Sequence, residues 1–328
     1  MGHALKVTAG ATALLRTLLR LAALLVVGFL LFEVLPGDPA RAVAAGRPVT
    51  SAELAGIRHD LGLDRSPPER LAAYAGHVLT GDLGESYVYH RPVTHLLAER
   101  IGPTLLLVGV ASLLAVALGT ATGAWSGWRP RGPVDRAATA AAIGLWATPT
   151  AWLGLLLLAL AGAGAGPLPA VLPLGGMRST PAPGGVAGVL DVAAHLVLPC
   201  LTLVAVQFAQ YHLLTRSATA AERTAGYVTL ARAKGLRDAD VRRRHVLPNA
   251  AAPSVAAALV NLGVVASGAV TVEAVFSWPG LGYLAYESVS APDLPVLNGT
   301  FLLVAAGVVV ATGLGELARA RLDPRSVA

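Results

Sequence analysis

The chain has 328 residues, 55% of them hydrophobic and only 13% charged, against roughly 25% charged in a soluble domain. The formal net charge is +6, yet the basic residues lie between apolar blocks rather than beside aromatics on a polar domain, which argues against nucleic-acid binding and for membrane orientation. The single cysteine, Cys200, sits inside an apolar block, so no internal disulfide staples the exposed loops.

Six apolar blocks follow in chain order, Leu14–Leu35, Thr104–Trp125, Ala137–Ala161, Val192–Leu214, Ser254–Phe276 and Val296–Leu317. Each is near the ~20 residues that a helix needs to cross the hydrocarbon, and helices satisfy their own backbone where lipid cannot. The chain is therefore expected to be an all-α polytopic membrane protein with six transmembrane helices. The first block reads as a retained span. Its alternative is a cleaved secretion signal, because Arg16 and Arg20 precede a short apolar run and Ala42-Val43-Ala44 resembles a signal-peptidase site.

Orientation follows from the loops. Lys6, Arg16 and Arg20, then Arg129, Arg131 and Arg136, then the arginines between Arg216 and Arg244, and last Arg319, Arg321 and Arg325 fall on one side. Basic loops stay in the cytoplasm, so both termini are expected there. The organisation expected is a cytoplasmic N-terminus and first span over residues 1–35, an extracytoplasmic loop over 36–103, a five-helix core over 104–317 and a cytoplasmic tail over 318–328. The core includes a cytoplasmic loop over 216–252. The first outer loop carries helical pattern at Ser51–Leu61 and Pro68–Leu79. The proline-rich stretch Gly162–Gly188 reads as extended outer loop, and Ser277–Pro295 as a shorter one.

Several chemistries are missing. The lysines are Lys6 and Lys234, and neither follows a glycine, so no Gly-Lys-Ser/Thr phosphate loop exists. The histidines lack zinc spacing and no Gly-x-Ser-x-Gly elbow occurs. No constellation supports an intramembrane enzyme, and if transport is ATP-driven the ATP is bound and hydrolysed by a partner. No inverted repeat with paired broken helices stands out, which weakens a secondary-transporter reading. A stand-alone secondary transporter or channel, or a membrane anchor, remains the rival class.

The segment Tyr227–Pro253 is too polar to insert. Thr219–Lys234 has good helix formers, Gly235 breaks the helix by tolerating a left-handed turn, and Asp238 starts a second short helix. Asp240 lies near that helix's positive end and Arg242–Arg244 near its negative end. Pro248 is expected to close it. Two short helices joined at a glycine make a knob that another protein's groove can seat. Charge alone would equally suit ordinary positive-inside bias.

This loop resembles the coupling loop of binding-protein-dependent ABC permeases, in which Glu-Ala-Ala is followed after three residues by Gly and after nine more by Ile-x-Leu-Pro. Ala231, Gly235, Leu247 and Pro248 match in register. Thr229, Leu230 and His245 stand where Glu, Ala and Ile are usual, departures typical of the dipeptide/oligopeptide/nickel branch, whose Ala-Arg-Ala-Lys-Gly-Leu is Ala231–Leu236 here. Gly226 replaces a frequent acid. Pro36-Gly37-Asp38-Pro39, Leu61–Asp64, Gly81–Ser86, Glu273–Gly282 and Leu322–Arg325 extend the similarity over most of the chain.

The resemblance implies the type I ABC importer permease fold, a second permease subunit, two ABC ATPase subunits, an extracytoplasmic solute-binding protein and membrane lipid as surroundings. It implies no metal and no cofactor of its own. Residues matching the coupling loop are Ala231, Arg232, Ala233, Lys234, Gly235, Leu236, Arg242, Arg243, Arg244, His245, Leu247, Pro248 and Asn249. Gln207, Gln210, Asn261, Ser267, Thr271 and Glu273 are polar groups inside the spans; such groups either line a pathway or bond helices together. Gly119 and Gly123 form a close-packing pair.

Overall fold

Close helix approach organises the bundle. The computed structural model describes residues 2–34, 40, 50–60, 62–163 and 172–322, without the side chains of 2–11, 13, 32, 34, 259–268 and 315–322. The helices are α1 Gly2–Val34, α2 Ser51–Asp60, α3 Pro67–Thr80, α4 Val93–Trp128, α5 Pro133–Ala147 and α6 Thr150–Gly162. After them come α7 Gly185–Glu222, α8 Gly226–Ala233, α9 Asp238–Val241, α10 Leu247–Val275, α11 Leu281–Ser290 and α12 Leu294–Leu322. The described residues form no β-strand, only an isolated bridge between Glu85 and Pro92.

The central pair is α4 against α7. Gly119, Gly123 and Gly127 recur every fourth residue on one face of α4, and a Cβ on any of them would collide with Tyr211, His212 or Arg216 backbone and side-chain atoms. Small residues at this spacing let two backbones meet, which is the main route to helix pairing where lipid removes the hydrophobic drive. The sequence shows the first two of these glycines as a pair; the structure extends the ridge by a turn. Beside the ridge, Leu107, Ala111, Leu198, Tyr211, Phe276 and Trp278 form the buried core shared by α4, α7 and the C-terminal end of α10.

Four helices are long and apolar enough to cross a membrane: α1, α4, α7 and α12. The pair α5 and α6 passes the same criterion together but bends by 105°, so four to five spans are counted among the described residues rather than the six expected. The fifth apolar block lies on α10, a 29-residue helix whose side chains 259–268 lie outside the described residues.

The block Ala137–Ala161, expected as one span, is corrected to two helices. Thr148 adopts φ −82°, ψ 126° because Pro149 excludes the helical region from the residue before it. The loop expected over Ser277–Pro295 contains the ten-residue helix α11. The helical pattern in the first outer loop appears as α2 and α3. Pro36–Pro39, Leu61, the possible cleavage site at Ala42–Ala44 and Asp323–Arg325 fall outside the described residues. Of the proline-rich stretch, residues 172–184 contain neither helix nor strand.

The helix α3 is docked, not loose. Arg70 Nη1 meets Glu33 Oε1 at 2.6 Å on α1, and Tyr74 donates its hydroxyl to Asn298 Oδ1 at 2.9 Å on α12. Its start is fixed by the Ser66 N–H donating to Glu69 Oε2 at 3.1 Å, a reciprocal capping arrangement.

Substituting Gly123→Val forces the α4 and α7 backbones apart, while Gly144→Val meets nothing within 4 Å. Thermal unfolding in detergent is expected to show G123V destabilised by about 1–3 kcal/mol, the usual cost of overpacking, and G144V close to the parent.

Candidate functional site

The basic loop is built as a bent elbow fused to a span. Contrary to the continuous helix expected over Thr219–Lys234, α7 ends at Glu222, and a turn at Arg223–Ala225 precedes α8. The bend at Gly235 is as expected: its φ is +81°, the left-handed region in which a side chain costs roughly 1–2 kcal/mol. The four-residue α9 then starts at Asp238. Pro248 does not close it. Residues Arg242–Val246 form a π turn, in which the Leu247 N–H reaches the Arg242 carbonyl, and α10 continues from there. Proline lacks an N–H and its ring crowds the carbonyl four residues back; the widened turn ahead of Pro248 relieves that crowding and lets the helix run through.

The elbow's inner face is apolar. Ala231 packs with Val228, Val241, Val246, Ala250 and Trp128. A polar clasp adds to this packing. The Tyr227 hydroxyl donates to Glu222, accepts from Asn249 Nδ2 at 3.1 Å, and lies near the His245 carbonyl, which also accepts from Asn249. Burial and the neighbouring Glu222 carboxylate raise the Tyr227 pKa, so the phenol stays neutral and keeps donating. This clasp links the end of α7, the start of α8 and the start of α10.

The basic side chains divide. Arg232 lies 5.5 Å from the Trp128 ring centroid and pairs with Asp238 at 3.1 Å. Arg242 lies 5.7 Å from the Trp125 ring. Both guanidiniums are thus turned to this chain's own aromatic rings. Ala233, Lys234, Arg243, Arg244, Pro248 and Asn249 are exposed, while His245 and Leu247 are half-buried. Tyr227, Leu230 and Leu236 add exposed apolar surface. Of these, the sequence singled out Leu236 through the resemblance but not Tyr227 or Leu230, although those two stand three apart on one helical face.

Among the described side chains, the polar residues of the spans are not brought together. Gln210 and Thr271 are exposed. Gln207 accepts a 3.3 Å hydrogen bond from Ser112, and its Nε2 is buried without a partner. Asn261 and Ser267 are on α10, within the side chains outside the described residues. Glu273 has 0% exposure, and its oxygens are taken up by protein donors: Thr104 Oγ1 at 2.7 Å, Gly282 N at 2.7 Å and Tyr283 N at 3.2 Å. The Leu281 N–H in turn donates to Thr104 Oγ1 at 2.8 Å. Four donors at the start of every helix need acceptors, and this carboxylate serves the start of α11. Trp278 completes the corner by donating to the Pro103 carbonyl at 2.9 Å.

Two further clusters escaped the sequence. Asp135 on α5 takes a bidentate bond from Arg216 on α7, at 2.5 and 2.9 Å. Thr139 links Asp135 to Nε2 of fully buried His212, and Thr122 meets the other ring nitrogen, Nδ1. The signal was present as two facing pairs four apart, Asp135/Thr139 and His212/Arg216. Before α12, buried Asp293 accepts from the Ser86 hydroxyl and the N–H groups of Tyr87 and Val88, fastening the Gly81–Ser86 motif to the start of that helix.

A helical membrane bundle bearing an exposed basic elbow is the architecture of a transport component. The family description "Binding-protein-dependent transport system inner membrane component" matches residues 119–327, and the N-terminal part of such membrane components matches residues 11–108. The chain belongs to this family of inner-membrane permeases. It is 36% identical over 310 residues to a protein of Brucella suis biovar 1 whose name is that of a peptide permease, covering 93% of this chain and 94% of that one. It is 35% identical over 301 residues to the glutathione transport system permease protein GsiC of Pectobacterium atrosepticum, covering 92% of each. The chain is therefore a multi-pass permease subunit of an ABC importer.

Glu273→Gln replaces an acceptor by an N–H2 group facing backbone N–H donors. Leaving buried donors unsatisfied costs roughly 1–3 kcal/mol, so the variant is expected to unfold at a lower temperature and to be cut between Ser277 and Leu281 by a protease that spares the parent.

Proposed function

We propose that this subunit carries peptides or a related small solute inward, driven by two partner ATPases that seat against the elbow of α8 and α9. The supporting observation is the construction of that elbow. Its inner face is buried and clasped to α4, α7 and α10, while Lys234, Arg243, Arg244, Tyr227, Leu230 and Leu236 remain exposed outward. A projecting knob welded to a long helix is suited to receive a rigid-body push and pass it on. The ATP is bound by those partners. A second permease subunit would complete the pore, and an extracytoplasmic solute-binding protein would deliver the cargo.

The orientation that suits this reading puts the elbow and both termini in the cytoplasm, in keeping with the arginines of the loop. The cargo class is supported by the relatives' names, of which one specifies peptide and another glutathione.

In the mechanical picture, closure of the ATPase pair moves the elbow, α10 carries the motion across the membrane, and the Glu273 corner makes α11 follow. The path between the two permeases then changes from inward-facing to outward-facing. The basic groups split in this scheme: Arg244 and Lys234 face the ATPase, whereas Arg232 and Arg242 brace the elbow against Trp128 and Trp125.

Gly235→Val places a β-branched residue at φ +81°. Uptake of radiolabelled peptide is expected to fall to background while the variant's membrane level persists. An affinity-tagged parent chain should bring down an ATPase, and the pair Leu230→Asp, Leu236→Asp should lose it. Full uptake by G235V, or unchanged ATPase recovery with the Asp pair, overturns the coupling role.

A further inference from the structure

Between α4 and α10 runs an open groove of about 550 Å³ that the transport reading does not use. Its walls are apolar, from Val116 and Ala121 on α4 to Leu247 and Val255 on α10. One end is cationic. Arg242 and Arg243 line it, and the guanidiniums of Arg242 and Arg129 lie 5.7 and 5.4 Å from the ring centroid of Trp125. No carboxylate lines the groove among the described residues. Val255 is 49% exposed and Trp125 47%, so a large apolar surface is left uncovered. Thr120, also in the lining, has a buried hydroxyl with no protein partner.

The dimensions select the occupant. From Trp125 to Val116 is about 13 Å along α4, at about 1.5 Å per residue. That is close to one leaflet's depth, half of the roughly 30 Å hydrocarbon layer. An apolar trough one leaflet deep, with cations only at the end where a tryptophan marks the water interface, matches an amphiphile with a negative head. A free anion would use the mouth and leave the walls bare. Guanidinium pairs with phosphate through parallel N–H bonds, and basic pockets between membrane helices suit phospholipid headgroups.

We propose that this groove binds one anionic phospholipid, its phosphate on Arg242, Arg243 and Arg129 and one acyl chain along the α4–α10 trough. Arg242 also begins the π turn that joins the elbow to α10, so the lipid lies against the joint through which the ATPases would act. That consequence rests on the coupling role proposed above; the binding itself does not, and it is measured separately.

The test is native mass spectrometry of the assembled importer released from micelles holding equal phosphatidylglycerol and phosphatidylcholine. The parent is expected to retain one phosphatidylglycerol per copy of this chain, favoured over phosphatidylcholine roughly tenfold, in keeping with a surface attraction shared by a few guanidiniums. R242Q/R243Q is expected to erase the preference. Ala121→Trp, which fills the trough without touching a charge, is expected to lose that lipid altogether, and millimolar inorganic phosphate should not displace it from the parent. Equal retention of both lipids by the parent, unchanged retention in A121W, or displacement by phosphate alone overturns the proposal. So does quantitative cross-linking of Val255→Cys to the second permease subunit or to a peptide photoprobe, which would give the groove to protein or cargo.

Discussion

A backbone that leaves helical form inside a membrane must find its hydrogen bonds within the protein, because the hydrocarbon supplies none. Several breaks among the described residues are answered by dedicated groups. The start of α11 is served by Glu273 and Thr104, the segment before α4 by Asp293, and the entry to α10 by a π turn rather than a gap. The Asp135–Arg216 pair belongs to the same economy. A guanidinium near the end of α7 is matched by a carboxylate that is only 2% exposed, and the Arg131 N–H and Thr139 supply that carboxylate's remaining donors.

These answers give the bundle two mechanical regions. The α4–α7 pair, with α5 tied to it through Asp135, is held by backbone approach and buried polar bonds. The other region is α10 with its attachments: the elbow at one end through the Tyr227–Asn249 clasp, and α11 at the other through Glu273. In the proposed cycle the second region moves and the first stays. The lipid groove lies on the seam between them.

What the sequence made legible was whatever a short window encodes. Apolar runs near twenty residues marked the spans, the helical pattern at Pro68–Leu79 marked α3, and Gly235 marked the bend. The break at Thr148-Pro149 was hidden because both sides are equally apolar, and hydropathy records depth and not direction. The helix α11 was hidden because its first turn depends on a carboxylate eight residues upstream and a threonine on another span, and no local pattern announces that partnership. The arginines of the elbow were read as one group. Their division between tryptophan rings and open surface could not be read, since a guanidinium's destination is fixed by what the fold sets beside it. Glu273 was singled out as a polar group in a span, with pathway and interhelical roles both open; the geometry uses its oxygens for bonding.

The glycine ridge of α4 has one more implication. Along the ridge the Cβ atoms of Tyr211, Thr215 and Thr219 lie directly against the facing glycines, so a shift of one helix along the other meets hard contacts at once. In the proposed cycle the α4–α7 pair would act as a stator, and a machine with a stator has its wear surfaces elsewhere. Tolerance to substitution should be lowest along Gly119, Gly123 and Gly127 and highest on the outward faces of α1 and α5. The kinetics of the cycle would then be tuned along the α4–α10 seam, where side chains still have room to rearrange.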